Sequence, residues 1–335
     1  VRQYVGDDVN SSDTTRSGQS SAITARVPRL WALWAAARPS QLALIVLVYV
    51  LGVGMATAGP PLTVSDSVTP VDVKSLAFLE TVLAGAIALL PVAVAIHYAN
   101  EYVDAETDAL TDRTPFSGGS GALVQTGLPR SFLRPAVIGS VAVASVVVLG
   151  IGGSARLPPD AVVLLVTMFG LGLAYSLPPI AFVRRGVGEA INAVLGGVLL
   201  PLYGVAVVAS PTSAAALAVV PFTLLVGCNL FATHWPDRVA DATVGKRTLA
   251  VRWSPARIRR AFATLASTAV TAAAVLWAVG VFPDIVVLAH LVPIPFLLWG
   301  GIVLTRQRSP LPAVLAMVGL AVSETIAWWW IGVVS

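Results

Sequence analysis

Nine separate runs of about 20 apolar residues fill most of this chain, and each is long enough to cross a bilayer as a helix. They fall at about 40–58, 77–101, 133–152, 159–177, 188–208, 214–234, 260–282, 285–304 and 310–332. Hydrocarbon offers no water to a backbone, so each crossing segment must bond its own N–H and C=O groups, and at this length a helix does so. The expectation is an all-α integral membrane protein, a bundle of nine transmembrane helices. Composition agrees: 56% of the 335 residues are hydrophobic and 11% are charged, whereas soluble domains carry roughly 25% charge. The least marked boundary is Pro283-Asp284, where spans seven and eight meet with almost nothing between them.

The basic residues set an orientation. With the N-terminus cytoplasmic, 19 of the 21 lysines and arginines lie on the cytoplasmic side, and only Lys74 and Arg156 lie opposite. That asymmetry is the positive-inside signal of a cell-membrane protein, and it puts the C-terminus outside. The net charge of +4 follows from these loop arginines, so it points to the lipid bilayer and not to nucleic acid. Residues 1–26 are polar and rich in Ser, Thr and Gly, with no apolar stretch of the signal-peptide kind, and are expected to be a disordered cytoplasmic tail. The transmembrane domain then runs over 27–335. A single Cys228 excludes an internal disulfide, and no obligatory protein partner is predicted.

The chemistry lies in a pattern that occurs twice. Asn100-x-x-x-Asp104-x-x-x-Asp108 closes span two, and Thr233-x-x-x-Asp237-x-x-x-Asp241 closes span six, each position offset by 133 residues. Residues four apart share a helix face. His97, Glu101, Asp104 and Asp108 fall within about 40° of one line at 100° per residue, with Asn100 beside it. Orientation puts both motifs on the cytoplasmic side. Four carboxylates brought together repel unless divalent cations lie between them, and hard oxygen ligands beside phosphate suit magnesium. Pro236 should break the second helix just before Asp237. Lys246, Arg247 and Arg252 follow at once, as a diphosphate leaving group requires. The loop Arg113-Thr-Pro-Phe-Ser-Gly-Gly-Ser-Gly-Ala122 could aim N–H groups at an anion, although a glycine-rich run alone is weak evidence. Bland readings stand beside these: His97 as a packing residue, Glu324 and His290 as helix-to-helix bonds, and Trp328-Trp329-Trp330 as an interfacial belt.

Together with Tyr175-Ser-Leu-Pro-Pro179, Arg184-Arg-Gly-Val-Gly-Glu189 and Gly245-Lys-Arg-Thr-Leu-Ala-Val251, these motifs resemble the UbiA superfamily of intramembrane prenyltransferases. The last run is most similar to the menaquinone branch, which prenylates 1,4-dihydroxy-2-naphthoate. The resemblance covers about 28–335 and implies that Asn100, Asp104, Asp108, Asp237 and Asp241 hold two magnesium ions bridging an isoprenoid diphosphate. It implies further that Lys246, Arg247 and Arg113 complete the diphosphate site, with Tyr175 near the reacting carbon. Asp108, Tyr175 and Asp241 are then the residues expected closest to the chemistry, transfer of the prenyl group to an aromatic acceptor. Departures from the family pattern are Thr233 in place of a second Asn, His234 where the first copy has Glu101, and the altered Arg113 loop. Acceptor activation needs a base, for which Asp108, His97 and His234 are candidates. An intramembrane terpene cyclase on the same scaffold is the alternative. An ion-coupled carrier is disfavoured because the ionisable groups gather at one face.

Overall fold

A computed structural model describes residues 27–59, 61–63, 73–154 and 156–334, so the predicted tail lies outside the described residues. Among the described residues no strand occurs, and nine helices are long and apolar enough to cross a membrane. They are Pro28–Thr57, Leu76–Leu110, Arg130–Gly153, Pro159–Ser176, Gly188–Val208, Ser213–His234, Pro255–Ala278, Asp284–Val303 and Leu311–Val334. Every predicted span has its counterpart, and the chain is a multi-pass membrane protein. Span one starts earlier than its apolar run because a short helix, Pro28–Ala36, precedes Pro39–Thr57 across a break at Arg38. Spans seven and eight turn through Gly280 (φ 78°), and the indole of Trp277 closes the turn by donating to Asp284 Oδ1 at 2.7 Å.

Close packing at the centre rests on small residues. A Cβ at Gly52 would lie 1.9 Å from the Pro201 carbonyl oxygen, and one at Gly204 2.3 Å from that of Tyr49, so spans one and five touch backbone to backbone. Two buried tyrosines then fasten this pair to span two: Tyr49 donates to Val82 O at 2.7 Å and Tyr203 to Gly85 O at 2.8 Å. Span five also solves a proline problem. Pro201 has no N–H for the Gly197 carbonyl, the helix widens to a π-turn over Leu195–Leu199, and Thr223 of span six donates to Gly197 O at 2.8 Å. A carbonyl orphaned in hydrocarbon is thus satisfied by a neighbouring helix.

Two of the bland expectations have clear outcomes. Glu324 and His290 form a buried pair (Oε1 to Nε2 3.0 Å) that joins spans nine and eight. The tryptophan belt is corrected: Trp328 is buried against Phe282, Trp329 donates to Val50 O at 2.9 Å, and only Trp330 is exposed. Consecutive residues on a helix point about 100° apart, so three adjacent tryptophans cannot share a lipid face.

Candidate active site

Span two is 35 residues long, about 52 Å at 1.5 Å per residue against roughly 30 Å of hydrocarbon. Its surplus turns carry the first acidic motif on a rigid helix. The second motif is built differently. The span-six helix stops at His234, Trp235–Asp237 form a turn around Pro236, and a new short helix runs from Arg238 to Thr243. Asp241 N–H donates to Asp237 O at 2.8 Å, so both carboxylates sit on that fresh turn. Gly245 then reverses the chain at φ 76°, a left-handed conformation that glycine adopts without strain, and returns Lys246 beneath Asp241.

Lys246 joins the motifs. Its buried ammonium lies 2.9 Å from Asp104 Oδ1 and 3.4 Å from Asp241 Oδ1. Burial alone would lower its pKa, but Asp104 and Asp241 outweigh burial and raise it, so the lysine stays charged. One cation thus bridges carboxylates that are 137 positions apart in sequence.

The Arg113 loop proves to be an ordered strap over the same carboxylates. Thr114 N–H bonds Ser117 O at 3.1 Å and Arg113 Nε donates to Gly119 O at 3.1 Å, which closes the loop on itself. Gly118 N–H donates to Asp237 Oδ2 at 3.2 Å. Gly119 (φ 69°) lies so close to Asp108 that a Cβ would stand 1.9 Å from Oδ2. Ser120 bonds Glu101 through both its N–H and its hydroxyl. The loop aims N–H groups at anions as the sequence suggested, and here those anions are the chain's own carboxylates.

Three supporting interactions escaped the sequence reading. Arg38, at the break before span one, donates Nε and Nη2 to Glu101 Oε2 at 3.1 and 2.8 Å. Ser176, at the end of span four and next in sequence to Tyr175, donates to Asn100 Oδ1 at 2.6 Å, which fixes the carboxamide that heads the first motif. Glu189 pairs with His234 at 3.3 Å and accepts the Leu249 N–H, so it ties the end of span six to the Lys246 segment. Their signal was faint: an Arg-Pro step, a serine next to a singled-out tyrosine, and a glutamate ending a motif. Arg38→Ala should leave Glu101, 2% exposed, without its cation. We expect a loss of about 3 kcal/mol in thermal unfolding and faster proteolysis within 113–121.

The structure therefore brings Asn100, Asp104, Asp108, Asp237, Asp241 and Lys246 into one cluster, with Tyr175 at its flank. Arg113 and Arg247 are exposed; Arg113 serves its own loop, and Arg247 is no part of the Lys246 bridge. His97 hydrogen-bonds Ala37 O at 2.8 Å and is buried, the packing role. Thr233 bonds back to Asn229 O of its own helix. Among the described residues no three His, Cys, Asp or Glu side chains converge on one point as a closed metal site. Magnesium does not need one, because it binds through one or two carboxylates plus phosphate oxygens and water. The buried Asp108 Oδ2 and Asp237 Oδ1 lack hydrogen-bond partners, as open ligand positions do. Burial pushes the Asp237 carboxyl up to about 6; the Gly118 N–H opposes that shift and the Asp241 charge adds to it. The residues fit a divalent cation.

No curated protein matches the chain. Its fold is similar to a UbiA homolog from Archaeoglobus fulgidus bound to DMAPP and Mg2+, with TM-score 0.62 and 16% identity over 88% of this chain and 98% of that one. An apo UbiA homolog from Aeropyrum pernix K1 gives 0.61 at 16% identity, over 85% and 96% of the two chains. A digeranylgeranylglyceryl phosphate synthase gives 0.59 at 12% identity, over 92% and 99%. Such identities speak to fold alone. The decisive match is to the family model of the UbiA prenyltransferases, which covers residues 70–323 and takes in both acidic motifs. The chain belongs to the UbiA prenyltransferase family.

Proposed function

We propose that this protein transfers a prenyl group from an isoprenoid diphosphate to an aromatic acceptor within the membrane, in a magnesium-dependent reaction at the face carrying both acidic motifs. The observation that carries this reading is the Lys246 bridge between Asp104 and Asp241 under the 113–121 loop. Asp104, Asp108, Asp237 and Asp241 would hold magnesium, which when bound supplies neutralisation of the departing diphosphate. Lys246 binds the diphosphate, with Arg247 and Arg113 able to swing in from the exposed rim. Asn100, fixed by Ser176, orients the same group. Tyr175 faces the reacting carbon, and the apolar bundle keeps water from the allylic cation. Asp108 receives a proton from the acceptor. The basic-residue asymmetry supports a cytoplasmic site, an N-terminus inside and a C-terminus outside.

Similarity of the Gly245–Val251 run to the menaquinone branch supports 1,4-dihydroxy-2-naphthoate as the acceptor. A second reading is a non-quinone acceptor, and a digeranylgeranylglyceryl phosphate synthase of similar fold makes a glyceryl phosphate the one to test. Purified protein with magnesium and geranyl to long-chain prenyl diphosphates separates them. Prenylated naphthoate is the expected product. Product only with a glyceryl phosphate contradicts the aromatic reading, and a cyclised terpene with no acceptor makes the chain a cyclase.

The reading also sets a pH dependence. A proton on Asp237 must leave before that carboxylate ligates, and it is held up to about 6. Magnesium affinity is expected to fall about tenfold per pH unit below that value, measured by calorimetric titration.

A further inference from the structure

A cavity of about 500 Å3 opens beside the second motif, and its lining includes Arg238 but none of the four motif aspartates. Three guanidiniums border it, those of Arg238, Arg306 and Arg308, against a single carboxylate, Asp112. Asp112 is already spent on Arg308, at 2.7 Å from Nη1. Arg238 is pre-set: Nη1 donates to Trp235 O at 2.8 Å and the guanidinium stacks 3.8 Å over the Trp235 ring. Arg238 and Arg308 thus border the same cavity, with Asp112 held on Arg308. Thr111, Thr305 and Gln307 add uncharged polar groups.

The lining also has an apolar part. Leu110 and Val239 line the same cavity and are 61% and 65% exposed. Leu110 is the last residue of span two, so the opening lies where a membrane helix ends. Guanidiniums and exposed aliphatic side chains on one cavity match a molecule with a phosphate at one end and hydrocarbon at the other. We propose that this cavity binds the phosphate headgroup of an anionic phospholipid, with Leu110 and Val239 against its glycerol region. Arg238 stands between Asp237 and Asp241, so a headgroup held there fastens the short helix that presents them. This site is independent of the prenyl-transfer reading and can fail separately from it.

Native mass spectrometry of the full chain tests it, after reconstitution with phosphatidylglycerol or with phosphatidylcholine alone. The wild type is expected to retain phosphatidylglycerol preferentially. Each arginine near a charged headgroup contributes about 1 kcal/mol, so Arg306→Gln with Arg308→Gln should weaken retention about 25-fold. Arg260→Gln removes an exposed basic residue outside the cavity and should change retention less than about twofold. Equal retention of the two lipids overturns the proposal, as does an Arg260→Gln loss matching that of the double variant. Displacement of the lipid by millimolar phosphate or pyrophosphate overturns it in favour of a free anion. Retention unchanged in the double variant, with its thermal midpoint also unchanged, overturns it too.

Discussion

Asp104→Asn and Asp237→Asn, each made alone, are expected to lower prenyl transfer by about a thousandfold while the protein stays folded in membranes. Asparagine keeps the volume and one oxygen of aspartate but removes the charge that a divalent cation needs. Asp237 already holds its charge at a cost, since burial and Asp241 push its carboxyl up to about 6. Removing that charge should leave the thermal midpoint of the magnesium-free protein unchanged or higher. Lost turnover without lost stability distinguishes a ligand from a packing residue. Retained magnesium-dependent turnover in either variant contradicts the metal assignment.

Lys246 and Arg247 are adjacent and equally basic, yet their substitutions should differ widely. Lys246→Ala removes a buried cation that Asp104 and Asp241 share, so donor binding and turnover should fall together, by about a hundredfold in kcat/KM. Arg247 is exposed and screened, and Arg247→Ala is expected to cost less than about threefold. Steady-state kinetics over a range of geranyl diphosphate concentrations reads both. Equal losses in the two variants would mean that the rim arginine swings fully into the site with substrate bound.

Hydropathy made the bundle legible because a helix crossing hydrocarbon announces itself by length and composition. The twin aspartate pattern was legible for a similar reason: spacing of four places side chains on one face whatever the tertiary fold. Pro236 even revealed that the second copy would sit on a new turn. What stayed hidden were contacts between segments distant in sequence. Nothing in the run around Arg38 shows that it will meet Glu101, or that Ser120 will bond the same carboxylate. The Arg113 loop was weak evidence in sequence because glycine permits many conformations, whereas its hydrogen bonds to Asp237 and Glu101 select one. Trp328, Trp329 and Trp330 misled because adjacency in sequence is divergence on a helix.

The central claim is that both acidic motifs act on one diphosphate. Calorimetric binding of geranyl diphosphate, with magnesium and with a chelator, tests it most directly in the wild type, Asp104→Asn and Asp237→Asn. Binding should require magnesium and weaken at least about tenfold in both variants, one from each motif. Binding that ignores magnesium, or that stays at the wild-type level in either variant, contradicts a shared site.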